Sequence, residues 1–347
     1  NLNSMNYAIV IGIDHYKERP LSGAVADATA FADWLKTNNL VVYDTGNAIK
    51  NQKYLKLLTS APDNEIALGH EIDIAINDIS DDARKCKNET NRLYFYFSGH
   101  GVGVSYSKTA LCLRYWYSKL PNFCISISEY IDGVVNKGVF DELLIFLDCC
   151  REYDYQINTK PPGFDYRTRI GTKESPSILT CYSTTYGKLS YEIRVNSEES
   201  QLNPDQKRGA FTSFLIEALK GDADSTLSGR ITGSDLKKHI KEHFQTYALK
   251  NNIIQAAKVT DDSGDAIVIC NLVQKTIEYN FIITFNRTSN VSLFGPDAEE
   301  IFRSDVVPGQ KWFRNLAKGY HRVKDNNTNE EKFFANYSVN TVNNEEF

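Results

Sequence analysis

The amino-acid sequence predicts an α/β fold, a mostly parallel sheet flanked by helices, with a small antiparallel β-rich domain after it. Between residues 7 and 270, short apolar runs alternate with longer segments whose apolar residues recur at helical spacing. After Leu272 the pattern changes to short runs of aromatic and branched residues separated by turns. We therefore predict two domains, residues 1–272 and residues 273–347.

Each element is predicted from its local pattern. Strands are short apolar runs, and helices have one apolar face, as where Phe31 and Trp34 recur at helical spacing. The predicted strands of the first domain are residues 7–13, 53–59, 92–97, 110–115, 143–148, 177–181 and 266–270. The predicted helices are residues 22–36, 66–83, 126–136, 209–220 and 234–248, with polar loops at 154–175 and 194–208. The β-like runs of the second domain are residues 276–285, 290–294, 311–316, 319–324 and 332–339.

The composition excludes several classes of function. The 347 residues are 41% hydrophobic and 24% charged, which is typical of soluble globular proteins. The net charge is -5 and there is no polybasic block, so we expect no nucleic-acid partner. No apolar run approaches the ~20 residues of a membrane-spanning helix, so we expect no membrane association. Seven scattered cysteines and the lack of a basic-then-apolar leader predict reduced thiols in a cytoplasmic protein.

One stretch carries the strongest chemical signal. Residues 143–151 place five apolar residues before an acid, two thiols and an arginine. The run predicts a strand buried on both faces, ending at the carboxyl edge of the sheet, where α/β proteins bind ligands. Because side chains alternate along a strand, Asp148 and Cys150 should share one face and Cys149 the other. Cys150 is therefore the predicted nucleophile.

A second motif supplies the imidazole that a cysteine nucleophile needs. His100 lies among glycines directly after the predicted strand 92–97, 50 residues before Cys150. An imidazole beside a thiol favours the thiolate and protonates the leaving amine, and the N–H of Gly101 is placed to donate to an oxyanion. The alternative for either residue alone is structural, because a buried cysteine usually acts as a small hydrophobe. The two motifs together favour chemistry.

The sequence of residues 6–270 resembles the caspase-like cysteine peptidases, which have the caspase-hemoglobinase fold. It is more similar to metacaspases and bacterial caspase homologues than to animal caspases, through residues 7–14, 21–28, 94–101, 143–151 and 209–214. The resemblance implies that His100 and Cys150 form the catalytic dyad, with no cofactor required. It also implies a protein substrate, an activating protein partner, self-processing, and a role in bacterial antiviral defence or cell death. The alternative is a catalytically silent caspase-like scaffold that acts by binding.

The resemblance places Asp27 and Asp148 around the pocket for the substrate residue that precedes the cut. Metacaspases have acids there, whereas animal caspases have polar and basic residues that hold an aspartate. Two carboxylates in one small pocket repel each other, and a substrate guanidinium would relieve the repulsion by bonding to both. We therefore predict cleavage after arginine, with lysine second. The alternative is that Asp27 only stabilises the first turns of its helix.

A basic preference also predicts where the chain would cut itself. Arg167, Arg169 and Lys173 lie in a polar linker after the cysteine strand and are the candidate self-cleavage sites. Calcium activation is a second consequence of the resemblance, since several metacaspases require calcium. It is not favoured, because the acidic turns at residues 222–224 and 261–265 lack the spacing of a calcium loop.

The pair His239 and His243 has the spacing of metal ligands on a helix. Lys237, Lys238 and Lys241 crowd this helix with positive charge, and no third ligand is evident. We therefore predict an ordinary covering helix and no metal site.

Overall fold

A computed structural model describes residues 4–41, 54–60, 69–86, 90–154, 156–194, 207–225, 228–263, 267–272, 280–336 and 342–347. The chain forms two compact units. The first holds Asn1–Ile216 and Thr232–Cys270, and the second holds Glu217–Ile231 and Asn271–Phe347. The division into two domains at residue 272 stays a prediction. Among the described residues, no helix is both long enough and apolar enough to cross a membrane.

The elements up to residue 271 are numbered in chain order. The strands are β1 (Ser4–Gly12), β2 (Leu55–Thr59), β3 (Thr90–Ser98), β4 (Gly101–Gly103), β5 (Thr109–Cys112), β6 (Cys124–Ser126), β7 (Glu142–Asp148), β8 (Ser177–Tyr182), β9 (Glu192–Arg194), β10 (Lys207–Gly209), β11 (Arg230–Thr232), β12 (Lys258–Asp261) and β13 (Val268–Asn271). The helices are α1 (Ala24–Thr37), α2 (Gly69–Ala83), α3 (Ile127–Lys137), α4 (Ala210–Glu217), which continues as a π-helical segment Ala218–Asp222, and α5 (Gly233–Lys250).

A six-stranded sheet forms the centre of the first unit, in the order β12-β8-β7-β3-β1-β2. Neighbouring strands run parallel, except that β12 pairs antiparallel with β8. The predicted α/β fold with a mostly parallel, helix-flanked sheet is confirmed. The predicted strand at residues 110–115 forms as β5, but in a separate three-stranded sheet with β4 and β6.

The predicted strand at residues 266–270 forms as β13, but its predicted place as the last strand of the main sheet is wrong. β13 lies outside the six-stranded sheet, and its expected place belongs to β12, which the sequence pattern does not predict. β12 reads Lys-Val-Thr-Asp, and none of its residues is fully buried. A strand at the edge of a sheet can be short and polar because one of its sides has no neighbouring strand, so β12 has no apolar run to reveal it.

Helices cover both faces of the sheet. On one face, Phe31 of α1 packs against Tyr96 and Phe146, with ring centroids 4.5 and 5.3 Å away. On the other face, Ile76 of α2 and Val134 of α3 line a small apolar space together with side chains of β3 and β7. The two central strands are thus buried on both sides, which explains their continuous apolar runs.

The second unit is rich in short strands. They are β14 (Phe281–Thr284), β15 (Ser289–Phe294), β16 (Glu300–Val306), β17 (Lys311–Arg314), β18 (Gly319–Asp325), β19 (Glu331–Asn336) and β20 (Asn343–Glu346). One sheet has the order β16-β15-β18-β19 and is antiparallel throughout. The other has the order β17-β14-β20, and there β14 and β20 run parallel, unlike the predicted antiparallel pattern.

Candidate active site

The ends of β3 and β7 carry the predicted histidine and thiol. These strands are parallel neighbours whose register pairs Ser98 with Asp148. His100 and Cys150 each lie two residues beyond this pair, and the N–H of Gly99 donates to the Asp148 carbonyl at 3.2 Å. Parallel strands end at the same edge of a sheet, so His100 and Cys150 both follow strands that end at its carboxyl edge.

Three other parts of the chain hold His100. Its N–H donates to the Tyr16 hydroxyl at 2.9 Å, and its carbonyl accepts from the Cys112 N–H at 2.9 Å. Its Nε2 lies 2.6 Å from the carbonyl oxygen of Arg19. A carbonyl oxygen can only accept a hydrogen bond, so Nε2 carries the proton. In the neutral imidazole, Nδ1 is then the nitrogen that can take up a proton.

Close packing requires the two glycines that flank the histidine. A Cβ at Gly99 would lie 2.6 Å from the Tyr16 hydroxyl oxygen. A Cβ at Gly101 would lie 2.6 Å from Cys149 Sγ and 2.7 Å from the Cys150 carbonyl oxygen. Only a glycine backbone can approach so closely. The Gly101 backbone therefore runs directly beside the residues that carry the thiols.

The two adjacent thiols have different surroundings. Cys149 is 2% exposed, and its backbone N–H and carbonyl both bond to the Ser183 hydroxyl. Cys150 is only partly buried. Its sulfur lies 3.3 Å from the backbone nitrogen of Ser190, whose N–H donates to it, and 3.6 Å from the Ser190 carbonyl oxygen, to which the thiol donates. Cys149 thus faces inward just after the end of β7, and Cys150 lies on the more accessible side.

Burial affects the charge of both candidate groups. Loss of solvation raises the pKa of Cys150 above its ordinary value of 9.0, and the Ser190 N–H opposes part of this shift. Loss of solvation also lowers the pKa of His100 below its ordinary value of 6.5, opposed in part by the hydrogen bond to Arg19. Both shifts favour the neutral form, so at neutral pH the resting pair is a thiol and an uncharged imidazole.

Asp27 is buried in α1 and is bonded by other parts of the chain. It is 1% exposed, and the Nε of Arg208 donates to its Oδ1 at 2.6 Å. The Gly209 N–H and the Ser98 hydroxyl donate to its Oδ2 at 2.8 and 3.2 Å. Burial, together with the nearby charge of Asp148, raises the pKa of Asp27 from 3.8 to about 7, although Arg208 opposes part of the shift.

Asp148 approaches the same point from the end of β7. It is 6% exposed, and its Oδ2 accepts from the N–H and the hydroxyl of Thr212, at 3.0 and 2.7 Å. Its Oδ1 accepts from the Ser190 hydroxyl at 2.8 Å. A Cβ at Gly209 would overlap carboxylate oxygens of both Asp148 and Asp27, so both acids lie close against this glycine.

Two further charged residues belong to this cluster. Arg208, in β10, supplies the cation that relieves the repulsion between Asp27 and Asp148. Glu192, in β9, is partly exposed, and its carboxylate accepts from the N–H of Gly23 at 2.7 Å. Its negative charge also acts on the site histidine, where it raises the pKa slightly against the effect of burial.

A family model of the caspase domain matches residues 5–258, which include every site residue described above. The chain belongs to the caspase-domain family. A protein from a Desulfuromonadales bacterium, named as a probable protease, is 27% identical over 245 residues, which cover 64% of this chain. The chain spans only 27% of the length of that relative.

Sequence patterns alone missed several residues of the caspase-domain site. Tyr16 and Arg19 follow β1, whose carboxyl end lies at the same edge as those of β3 and β7, and this placement is the signal that could have found them. Glu192 and Arg208 lie in β9 and β10, which have three residues each and, among the described residues, form a two-stranded sheet of their own. No apolar periodicity marks such short polar strands, so their position could not be read from the sequence.

The three predicted self-cleavage residues of the caspase domain differ in how firmly they are held. Arg167 is exposed. Arg169 packs on Gly138 and donates to the carbonyl of Lys173. Lys173 forms an ion pair with Asp141 at 2.8 Å, and its N–H donates to the Gly138 carbonyl at 2.8 Å. The linker around Lys173 is therefore bound to the end of α3.

The part of the chain that the structure describes contains no group of three His, Cys, Asp or Glu side chains placed to hold a metal ion. His239 stacks on Phe214, with ring centroids 5.1 Å apart, and lies 4.9 Å from the ring of His243. In the first acidic turn, Asp224 accepts from the N–H groups of residues 228 and 229. The absence of a metal, and of calcium activation, stays a prediction.

Proposed function

We propose that this protein is a caspase-type cysteine endopeptidase in which Cys150 and His100 form the catalytic dyad. The register of β3 and β7 carries the proposal, because Ser98 pairs with Asp148 and the two residues each follow two positions later, at the edge where α/β proteins act on ligands. Membership of the caspase-domain family and the probable-protease name of the bacterial relative support a peptidase.

The neutral resting pair defines the order of proton transfers. As the sulfur of Cys150 attacks the scissile carbonyl carbon, Nδ1 of His100 takes the thiol proton. The imidazolium then protonates the leaving amine, and water hydrolyses the thioester with the histidine as base. The N–H of Gly101, beside the end of β7, donates to the oxyanion of each tetrahedral intermediate. The chemistry requires no cofactor.

We propose that cleavage follows arginine, with lysine second. Arg208 illustrates that a guanidinium bonds to Asp27, at 2.6 Å. Asp27, Asp148 and the partly exposed Glu192 outnumber this guanidinium, so a cationic substrate side chain is favoured over an aspartate. Arginine is preferred to lysine because its planar fork can bond two carboxylate oxygens at once.

Cleavage profiling with a peptide library tests the dyad and the specificity separately. Wild type should cut after arginine and lysine, and Cys150→Ala should not cut. Cys86→Ala removes the other thiol that is only partly buried, and it should match wild type. Equal cleavage by wild type and Cys150→Ala would refute the dyad, whereas wild-type cleavage after aspartate would refute only the specificity.

The same preference makes Arg167, Arg169 and Lys173 the proposed self-cleavage sites. We expect Arg167 to be cut first, because it is exposed and Lys173 is paired with Asp141. Mapping the fragments that wild type forms and that the Cys150→Ala variant lacks identifies the sites. A wild-type chain that stays intact after prolonged incubation would contradict self-processing.

The resemblance to bacterial caspase homologues is the support for a role in bacterial antiviral defence or cell death, with an activating protein partner. Phage plaque counts on bacteria that express wild type or Cys150→Ala test this role. Protection that requires the thiol is the expected result, and equal plaque counts would argue against a defence role.

A further inference from the structure

The stability of a negative charge on the sulfur of the proposed nucleophile, Cys150, depends on the position of one backbone N–H, that of Ser190. The N–H of Ser190 donates to Cys150 Sγ at 3.3 Å, and this donor stabilises a negative sulfur. Ser190 belongs to residues 183–191, which connect β8 to β9 and have no strand or helix of their own. Backbone hydrogen bonds hold this connection at Gly187, Lys188 and Tyr191, whereas Ser190 itself bonds to the side chains of Cys150, Asp148 and Gln255.

Gln255 is the buried side chain that meets this connection. It is 3% exposed, and its Nε2 donates to the Ser183 carbonyl and to the Ser190 hydroxyl, both at 3.0 Å. Its Oε1 accepts from the Tyr191 N–H at 3.1 Å. A primary amide has two N–H donors and one oxygen, so every polar atom of Gln255 is bonded to this connection.

These bonds join the two points that hold the adjacent cysteines. Ser183 bonds to the backbone of Cys149 through its hydroxyl, at 3.1 and 3.2 Å. Ser190 bonds to the sulfur of Cys150 and, through its hydroxyl, to Asp148. The Gln255 amide spans the gap between the two serines and so sets the position of the Ser190 N–H relative to the end of β7.

We propose that Gln255 is a positioning residue, which holds the Ser190 N–H against the Cys150 sulfur and so stabilises the thiolate that forms during attack. This inference rests on the proposed function, because it takes Cys150 as the nucleophile. The edge strand β12 positions the Gln255 amide. Gln255 lies three residues before Lys258 of this strand, and Lys258 pairs with Tyr182 at the end of β8. An amide does not titrate, so its support is the same at every working pH.

The test measures the rate at which iodoacetamide alkylates Cys150 as a function of pH, by mass spectrometry of the cysteine-bearing peptide. Gln255→Met keeps the side-chain volume and removes all three hydrogen bonds. Relative to wild type, we expect alkylation at pH 7 to be about threefold to tenfold slower, as the midpoint rises by about 0.5–1 pH unit. The kcat for an arginyl peptide should fall with it, while KM stays within about twofold.

Asn251→Ala is the matched control. It removes an amide from the same stretch of chain, where the Asn251 side chain donates to the Tyr247 carbonyl of α5 at 2.9 Å. Its alkylation midpoint should equal that of wild type, and circular dichroism should show that each variant is folded. Cys86, which is also partly buried, serves as the internal reference thiol in every sample.

An unchanged midpoint in folded Gln255→Met would overturn the proposal, and so would an equal shift in Asn251→Ala. If Gln255→Met does not fold, Ser190→Ala decides, because it keeps the Ser190 N–H but removes the hydroxyl that bonds to the Gln255 amide. A midpoint equal to that of wild type in Ser190→Ala would then be the contrary result. Alkylation needs no substrate, so these outcomes test the role of Gln255. The dyad is tested separately, because cleavage by Cys150→Ala would refute it.

Discussion

Distant acidic side chains cap two helices at the candidate active site, and the two caps differ in burial. At the start of α1, Asp14 accepts from the N–H groups of Ala24 and Val25, at 2.8 and 3.2 Å. Glu192 accepts from the N–H of Gly23. Both acids of this cap are partly exposed. The cap therefore has one side within the fold and another side open to solvent.

At the start of α4 the acids are enclosed. Asp27 accepts from the N–H of Gly209, Asp148 accepts from the N–H of Thr212, and neither acid is more than 6% exposed. The first N–H groups of a helix lack partners within it, and the positive end of the helix dipole favours acids there. Capping alone thus accounts for an acid at each position. The α4 cap is therefore enclosed by the fold, whereas the α1 cap keeps an open side.

The largest effect on stability is expected at the α4 cap, in Asp148→Ala. This change leaves the N–H and the hydroxyl of Thr212, and the hydroxyl of Ser190, without their buried acceptor. We expect the free energy of unfolding to fall by about 3 kcal/mol, because buried polar groups that lose their partner each cost about 1–3 kcal/mol. Chemical denaturation measures the loss.

Two controls belong with Asp148→Ala. Asp148→Asn keeps one acceptor oxygen and should lose about half as much stability. Asp33→Ala removes an exposed acid of α1, and it should change stability by no more than about 0.5 kcal/mol. A loss in Asp148→Ala as small as that in Asp33→Ala would mean that the buried cap does not support the fold.

A smaller loss is expected in Asp27→Asn. Asparagine can accept from the Gly209 N–H but leaves Arg208 without its carboxylate, so we expect a loss of about 1–2 kcal/mol at neutral pH. Asparagine does not titrate. Any change of this stability loss with pH should therefore come from the titration of Asp27 in the wild-type protein.

The sign of that pH dependence follows from the pKa of Asp27, which is about 7 when folded and 3.8 ordinarily. Between these values the folded protein keeps a proton that the unfolded chain has released, so Asp27 contributes most stability below pH 3.8 and loses it as the pH rises to about 7. The deficit of Asp27→Asn relative to wild type should therefore shrink from pH 4 to pH 7. Denaturation curves across this range test it, and a constant deficit would mean that the carboxyl is not shifted.

The strands of this site could be predicted from the sequence more fully than the contacts of its charged residues. β3 and β7 are buried on both faces, so their apolar runs and the motifs that follow them could be recognised. Asp27 and Asp148 could be expected together only through the resemblance to metacaspases, because the acids are far apart in the chain. That they cap a helix at Gly209 could not be predicted, since a cap made by distant side chains leaves no local pattern.

The contacts that hold the residues of this site could not be predicted from the sequence. Arg208 is 181 residues from Asp27 and reaches it through the short hairpin of β9 and β10. Gln255 reaches Ser190 through β12, a polar edge strand without an apolar face. Contacts of this kind depend on the register of strands that burial hardly constrains, and register is weakly specified where neither face is apolar.

The smallest effect on stability, and a selective effect on substrates, is expected in Glu192→Gln. The glutamine oxygen can still accept from the N–H of Gly23, so stability should stay within about 0.5 kcal/mol of wild type. The loss of a partly exposed charge should lower the preference for arginine over the uncharged analogue citrulline by about three- to fivefold in kcat/KM, the size expected of a half-exposed ion pair. Glu242→Gln, which removes an exposed acid of α5, should leave the preference unchanged. The contrary result would be a Glu192→Gln variant that loses as much stability as Asp27→Asn and keeps the preference for arginine. The α1 cap would then be structural, like the buried α4 cap, and Glu192 would not contribute to the recognition of substrate charge.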